Sequence, residues 1–381
     1  MSSDTRSTIS MPQLSLLLLI PSLLFVPGLF VVFFLAAALI LISAGVVLWV
    51  LQAIGFIPVY VVLLTGIGAL IGLYAVANGL YRSVFRPPGM APALILDMAR
   101  EPALSAFVDE LCEKMGAIRP DYVLLHLLPT FFVAKDKINT FNGQATGRIL
   151  AIGAPVMGDL TYDEFRAVLA HEFAHFTGRD TLYSTIVSPV YFSTAAACGQ
   201  MRAVFSGKGL GAVVMSIPMI IPYFLLSAYL NLFRLIDSAF SRSRETRADI
   251  VAASIAGKQP FSTALIKVAV SNRVLMKMLS PNVPVTITNG SEANYCNMYR
   301  QMALVPGIDV EALEKEAMAT GSRILDRHPS LKNRIAAVPD VATPPSQGGL
   351  ARDLLLNAED YEQTLTGYIA RPRAIAIRVK K

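Results

Sequence analysis

Between Arg6 and Arg82 the chain carries no charged side chain. A run of that length can cross a hydrocarbon core of about 30 Å twice, at roughly 20 residues per crossing, with its backbone polar groups satisfied inside helices. We read it as a helical hairpin. The first span runs from about residue 22 to residue 49, after an apolar lead-in at 14–20 that Pro21 and Pro27 interrupt. Gln52, Gly55 and Pro58 break it, and the second span runs from about 59 to 81. The apolar region is longer than a signal core and lacks a clear small-residue cleavage site, so an anchor is expected rather than a cleaved leader.

Two more uncharged stretches, 181–201 and 209–233, are joined by the turn "RAVFSGK" at 202–208. They predict a second hairpin; the alternative is a pair of buried helices packing on the first two, which Pro189, Pro218 and Pro222 permit. A composition of 54% hydrophobic and 16% charged residues is too apolar for a soluble domain and agrees with a membrane protein. Arg82 and Arg86 close the first hairpin, and Arg234, Arg242, Arg244 and Arg247 close the second, outweighing Arg202 and Lys208 in the far turn. The polar mass is therefore expected on the cytoplasmic side, of a prokaryotic inner (plasma) membrane. The net charge of +6 forms no basic run interleaved with aromatics, so nucleic acid is not indicated. Cys112, Cys198 and Cys296 lie far apart and in no metal-like spacing, consistent with a reducing compartment.

The expected fold class is a mainly α membrane protein, with four hydrophobic helices in two hairpins and an α+β domain holding a small sheet. Its order along the chain is an N-terminal transmembrane hairpin (1–86), the first part of the polar domain (87–180), the second hairpin (181–234), the second part of that domain (235–340) and a polar C-terminal tail (341–381) whose role the sequence leaves unread. Residues 103–115 have the spacing of an amphipathic helix. "DYVLLHLL" at 121–128, "FFVAK" at 131–135 and the apolar end of "NTFNGQATGRILAIGAP" at 139–155 are strand-like. From Thr161 the pattern turns helical: Thr161 with Glu164 makes a capping box, and Gly178 is a natural terminator.

Inside that helix lies "AVLAHEFAHFTG", 167–178. His171 and His175, four residues apart, project from one face and can bind one tetrahedral metal ion, while Glu172 can reach a metal-bound water. Leu169, Ala170, Phe173, Ala174 and Phe176 around them are apolar, as a walled metal site requires. A catalytic zinc needs a third protein ligand. "SRSRETRAD" at 241–249 offers Glu245, with Asp249 one turn along to accept the ring N–H of a ligating histidine. In "HPSLKNR", 328–334, His328 and Arg334 are donors of the kind a hydrolase aims at a developing oxyanion, although a Pro-initiated helix with a solvated Arg explains the stretch equally well. His126, in an apolar strand-like run, is expected to be a satisfied core residue.

These three motifs, with a hydrophobic hairpin between the first two, resemble in order and spacing the membrane-embedded zinc metallopeptidases that include the HtpX-like heat-shock protease and the CAAX prenyl endopeptidase. The resemblance covers roughly residues 120–340. It implies a zincin-like catalytic domain of the gluzincin type and one Zn2+ per chain on His171, His175 and Glu245. It also implies Glu172 as general base, Asp249 in support, and His328 and Arg334 stabilising the tetrahedral intermediate. A strand carrying an Asn-Ala-Phe-like sequence borders the cleft in this family and pairs with substrate; Asn139, Thr140 and Phe141 are similar to it, and "NGQATG" at 142–147 can be aligned instead. Four hydrophobic segments suit the HtpX-like branch. The function implied is a membrane-bound zinc endopeptidase acting on membrane-associated or misfolded polypeptides at the cytoplasmic face, a protein quality-control role, with an extended substrate adding as a strand beside 139–152. The alternatives are a CAAX-type prenyl-protein endopeptidase and a non-catalytic membrane scaffold or transporter subunit. An intramembrane protease is disfavoured, because Asp163, Glu164, Arg166, Arg179 and Asp180 bracket the motif with charges costly in lipid.

Overall fold

The structure is a computed structural model and describes residues 13–85, 88–177, 180–278, 294–302, 309–321, 328–342 and 348–369. In chain order its elements are α1 (Gln13–Ala53), α2 (Val59–Val84), β1 (Gly89–Met90), β2 (Ala93–Ile95), α3 (Pro102–Met115), β3 (Tyr122–His126), β4 (Phe132–Asn139), β5 (Gln144–Gly153) and α4 (Ala154–Met157). There follow α5 (Tyr162–Thr177), α6 (Asp180–Phe205), α7 (Leu210–Ser216), α8 (Ile220–Ala256), α9 (Lys258–Met278), α10 (Tyr295–Met302), α11 (Val310–Ala319), α12 (Leu331–Ala337) and α13 (Ala358–Ile369). They divide into two compact units: the described residues of 1–87 and 182–243, and those of 88–181, 244–323 and 328–381.

The first unit is helical. Among the described residues three helical stretches are long and apolar enough to cross a bilayer: Leu23–Ala53, Val59–Val84 and Leu210–Ala256. The fourth expected segment, 181–201, is not among them. The stretch 181–201 is helical, as part of α6, but Ser and Thr at 184, 185, 188, 193 and 194 dilute its apolar character. The stretch 209–233 is also not a single rod, because Pro218 sits in a 3₁₀ turn (Ile217–Met219) between α7 and α8. Conversely, Pro21 and Pro27 do not interrupt α1; prolines are tolerated in apolar helices where neighbouring groups take up freed backbone positions. In the turn before Pro27 the Phe25 carbonyl accepts a hydrogen bond from the Tyr229 hydroxyl of α8. Large apolar side chains remain exposed on this unit, Trp49 and Leu70 each at 69%, as lipid-facing surfaces would be. Small residues hold its helices close: α2 buries Gly68, Gly72, Ala75 and Gly79, and a Cβ on Gly68 would stand 2.0 Å from the Met215 carbonyl oxygen of α7. Where no water drives helix association, such close approach maximises packing.

The second unit sets helices against a five-stranded sheet of order β1-β4-β5-β3-β2. β4 and β5 form an antiparallel hairpin closed by Thr140 N–H donating to the Gly143 carbonyl at 2.8 Å. β5 runs parallel to β3, and β1 pairs only with Ile138 and Asn139 at the far end of β4. Alternation puts Val123, Leu125, Leu150 and Ile152 on one face. There they pack with Leu104 and Phe107 of α3, Phe165, Leu169 and Phe173 of α5, Ala252 and Ala256 of α8, and Phe261 of α9. The box at the start of α5 forms as the spacing requires: Glu164 Oε2 accepts from Thr161 N–H at 2.8 Å, and Thr161 Oγ1 from Glu164 N–H at 3.3 Å. The terminator Gly178 lies outside the described residues.

Residues 348–369 are not a polar tail. Ala351, Leu354, Leu355, Ala358 and Leu365 enter the core of the second unit. The Ala351 N–H donates to Leu160 O at 2.8 Å, and Leu350 forms a bridge to Thr161. Glu101, fully buried, accepts from Leu356 N–H at 2.6 Å and from the Tyr361 hydroxyl at 2.9 Å. The apolar residues recur at helical spacing between charges, which made the segment look solvated in sequence.

Glu362 of α13, 2% exposed, accepts from Arg300 at 3.0 and 2.9 Å, from Arg352 at 2.9 Å and from Asn294 at 2.8 Å. Burial alone would raise its carboxyl, but these donors prevail and hold it down to about 2. The folded value lies below the ordinary 4.5, so the stabilisation is present above that value and is lost as pH falls toward 2. Glu362→Gln is expected to lower unfolding free energy by about 3 kcal/mol at pH 7 and to flatten the acid limb between pH 4.5 and 2. Denaturant titrations across that range check this; an acid limb as steep as wild type would show that the network contributes nothing.

Candidate active site

α5 presents His171 and His175 from successive turns, their rings 5.0 Å apart between centroids and nearly perpendicular. α8 brings Glu245 against both: Oε2 lies 3.5 Å from His171 Nε2, and Oε1 lies 3.6 Å from His175 Nε2. One donor atom from each of the three residues falls within 4.8 Å of the others. Two ligands at 2.0–2.1 Å on a tetrahedral ion stand about 3.4 Å apart, so these spacings suit a shared cation better than direct hydrogen bonds. Two imidazoles and a carboxylate are also the donor set zinc takes in hydrolytic sites. The residues present therefore fit the metal.

One turn beyond Glu245, Asp249 is fully buried with Oδ1 3.0 Å from His171 Nδ1. The contact is close but not aligned as a hydrogen bond, and it leaves Nε2 of the same ring turned toward Glu245. Arg334 of α12 grips the same carboxylate bidentately, Nε to Oδ2 at 2.9 Å and Nη2 to Oδ1 at 2.6 Å. His328, 64% exposed, points Nδ1 at Glu245 Oε2 from 2.8 Å. Burial works against a charged His171, yet Asp249 and Glu245 outweigh it and push the imidazole up to about 9. That field favours positive charge at the point where the three side chains meet. Burial also raises the Glu172 carboxyl above the usual range, partly offset by the two histidines.

Glu172, His171, His328 and Arg334 face a cavity of about 170 Å³. Its other walls are Val168 of α5, Phe261, Leu265 and Val268 of α9, and Thr130 and Phe131 in the loop before β4. Sequence reading missed these wall residues. The 3–4 spacing at 261, 265 and 268 marks a buried helix face, but nothing local tells a core face from a cavity wall.

Asn139, Thr140 and Phe141 are not brought to this cavity. Asn139 ends β4 and accepts through Oδ1 from Gln144 at 2.6 Å, Thr140 sits in the hairpin turn, and Phe141 stacks on Tyr368 at 4.2 Å. The end of β4 nearer the cavity is the opposite one. Along β5, β4 covers residues 144–151 on one edge and β3 covers 149–153 on the other, so residues 149–151 are paired on both sides. His126 stands apart from the cluster and is buried. Its Nδ1 accepts from Leu128 N–H at 3.2 Å while Nε2 has no partner among the described residues, so it is half satisfied, and burial pushes it down to about 4.

The profile of peptidase family M48 matches residues 99–342, which contain the whole cluster. The chain belongs to peptidase family M48. Among its relatives in that family is a protein named Protease HtpX homolog from Acidiphilium cryptum, 31% identical over 238 residues, 59% of this chain and 76% of the relative. Another of that name, from Pyrobaculum calidifontis, is 27% identical over 173 residues, 44% of this chain and 47% of the relative. The chain spans about half the length of several curated M48 relatives that it matches. A crystal structure of S. mikatae Ste24p superposes with a TM-score of 0.33 at 17% identity, over 71% of this chain and 56% of that one.

Proposed function

We propose that this M48 member is a membrane-bound zinc endopeptidase that cleaves membrane-associated or misfolded polypeptides at the cytoplasmic face. The observation that carries the reading is the convergence of His171, His175 and Glu245 beside Glu172 at the mouth of an apolar cavity. In this reading His171, His175 and Glu245 hold one zinc ion, and Asp249 fixes the His171 ring. When bound, the ion supplies a water acidified toward neutral pH and a Lewis acid for the substrate carbonyl. Glu172 would serve as the general base, its carboxylate taking a proton from the attacking water and returning it to the leaving amine. His328 stands where it can donate to the negative charge developing on the carbonyl oxygen. Arg334 spends two of its donors on Asp249 and acts chiefly by holding it.

An extended substrate fits beside residues 132–137 of β4. No strand among the described residues pairs with the outer edge of that stretch, and its near end adjoins Thr130 and Phe131 of the cavity wall. This replaces the earlier expectation of pairing beside 139–152. The three long apolar stretches, with α6 as a fourth crossing, would tether the enzyme. The arginines that close both hairpins favour cytoplasmic catalysis.

Metal analysis of purified protein tests the reading. Wild type is expected to carry about one zinc per chain and His171→Ala none, with cleavage of an unstructured substrate lost in parallel. Wild type that holds no zinc after reconstitution would remove the hydrolase assignment.

A further inference from the structure

Two cations stand against the charge bias of the membrane helices. Arg202 and Lys208 flank the turn from α6 into α7, at the end of the first unit away from Arg82 and Arg234. Both are exposed, and neither has an anionic partner among the described residues. The turn lies at the rim of the apolar region. α7 runs along α2, so that a Cβ on Gly211 would stand 3.7 Å from Leu64 and one on Gly68 would meet the Met215 backbone. Leu64 is only about 8 Å along α2 from its first residue, Val59. Trp49 and Tyr60, 69% and 57% exposed, mark the same level, as aromatic side chains do at a membrane–water interface.

Next to these cations is a cavity of about 320 Å³. Phe205 of α6, Ala212 and Val213 of α7, and Ile220, Tyr223 and Phe224 of α8 wall it. Ser216 also lines it, but its hydroxyl is spent on the Val213 carbonyl at 2.6 Å. Val213 and Phe224 are 58% and 65% exposed, so the cavity opens sideways, onto the surface that lipid tails would cover. Glycine shapes the turn: a Cβ on Gly207, in the lining beside Lys208, would stand 2.8 Å from the Ala212 Cβ, and Gly209 takes a φ of +91°. The volume falls at the lower end of the roughly 300–1,000 Å³ of small-molecule sites.

An apolar slot open to hydrocarbon and ending at two unpaired cations of interfacial depth matches one ligand chemistry, an acyl chain joined to an anion. A zwitterionic headgroup carries its own cation, and a soluble anion would leave the slot uncovered. We propose that this turn binds one anionic phospholipid, with an acyl chain in the cavity and the phosphate on Arg202 and Lys208. The site uses no residue of the metal cluster and stands independently of the hydrolase reading.

Full-length protein in detergent micelles is titrated with phosphatidylglycerol, with phosphatidylcholine of the same acyl chains and with glycerol phosphate, and bound molecules are counted by native mass spectrometry. One phosphatidylglycerol per chain is expected to bind about tenfold or more tighter than phosphatidylcholine, with glycerol phosphate unbound in that range. Each cation at such a surface is worth about fivefold in binding, so the double variant Arg202→Gln, Lys208→Gln should weaken phosphatidylglycerol by about 30-fold and erase the preference. Ala212→Phe fills the cavity with both cations in place and should also expel the lipid. If that variant loses helix content by circular dichroism, Val213→Trp, at an exposed lining position, makes the same test. Arg82→Gln, at the other end of the helices, should bind like wild type. Equal binding of the two lipids, or glycerol phosphate binding as tightly as phosphatidylglycerol, overturns the site. So does wild-type affinity in the double glutamine variant or in the folded cavity variant, or an equal loss in Arg82→Gln.

Discussion

Glu172→Gln is expected to abolish peptide hydrolysis while the protein keeps its fold and its zinc. The carboxamide is isosteric with the carboxyl it replaces, and Glu172 is not among the three side chains whose donor atoms converge. The change therefore removes one capacity, that of accepting and returning a proton. General acid–base catalysis contributes about 10²–10⁴-fold, and a site that relies on one group for both transfers should lose on the order of 10³-fold or more. The measurement is single-turnover cleavage of an unstructured polypeptide, with zinc content and thermal midpoint recorded on the same preparation. Cleavage within a few-fold of wild type at full zinc occupancy would mean that another group takes the proton.

Arg334→Ala should do most of its damage through Asp249. That carboxylate is fully buried and has two contacts, the bidentate guanidinium and the His171 ring. Removing the guanidinium strands a buried negative charge, which costs about 3–5 kcal/mol. The His171 ring then loses a fixed partner, and metal affinity should fall by about 10–100-fold, as when other groups that orient metal ligands are removed. Arg334→Lys restores a charge but not the planar fork, so it should recover only part of both losses. A chelator competition and a denaturant titration read the two effects separately. If Arg334 instead serves only as a donor to substrate, the alanine variant will bind zinc and unfold like wild type and will differ in turnover alone.

The proximity of His171, His175, Glu245 and Asp249 was legible because residues four apart on a helix share a face whatever the helix packs against. Only the meeting of the two helices had to be supplied from outside, by the order of the motifs. Three long apolar helical stretches were legible as uncharged runs, but their interruptions were not. Pro21 and Pro27 sit inside a continuous helix, whereas Pro218 lies at a real break. The cavity wall was illegible for another reason: Thr130 and Phe131 are held by Gly153 and Asn272, distant in sequence and silent as a pattern. The "NTF" stretch carried a family likeness, yet in the folded chain it lies at the hairpin end of β4 and is not among the cavity-lining residues.

One consequence follows from how α5 begins. Its first residues are tied to a segment far along the chain, Tyr162 N–H to Gly349 O at 3.2 Å and Ala351 N–H to Leu160 O at 2.8 Å. A ribosome delivers the chain from its N-terminus, so the helix that carries both histidines emerges long before its restraint does. Until residue 351 leaves the exit tunnel, the nascent polypeptide holds that helix by one end fewer. Residues 349–351 thus complete the restraint on the start of α5 well after the helix itself has been made.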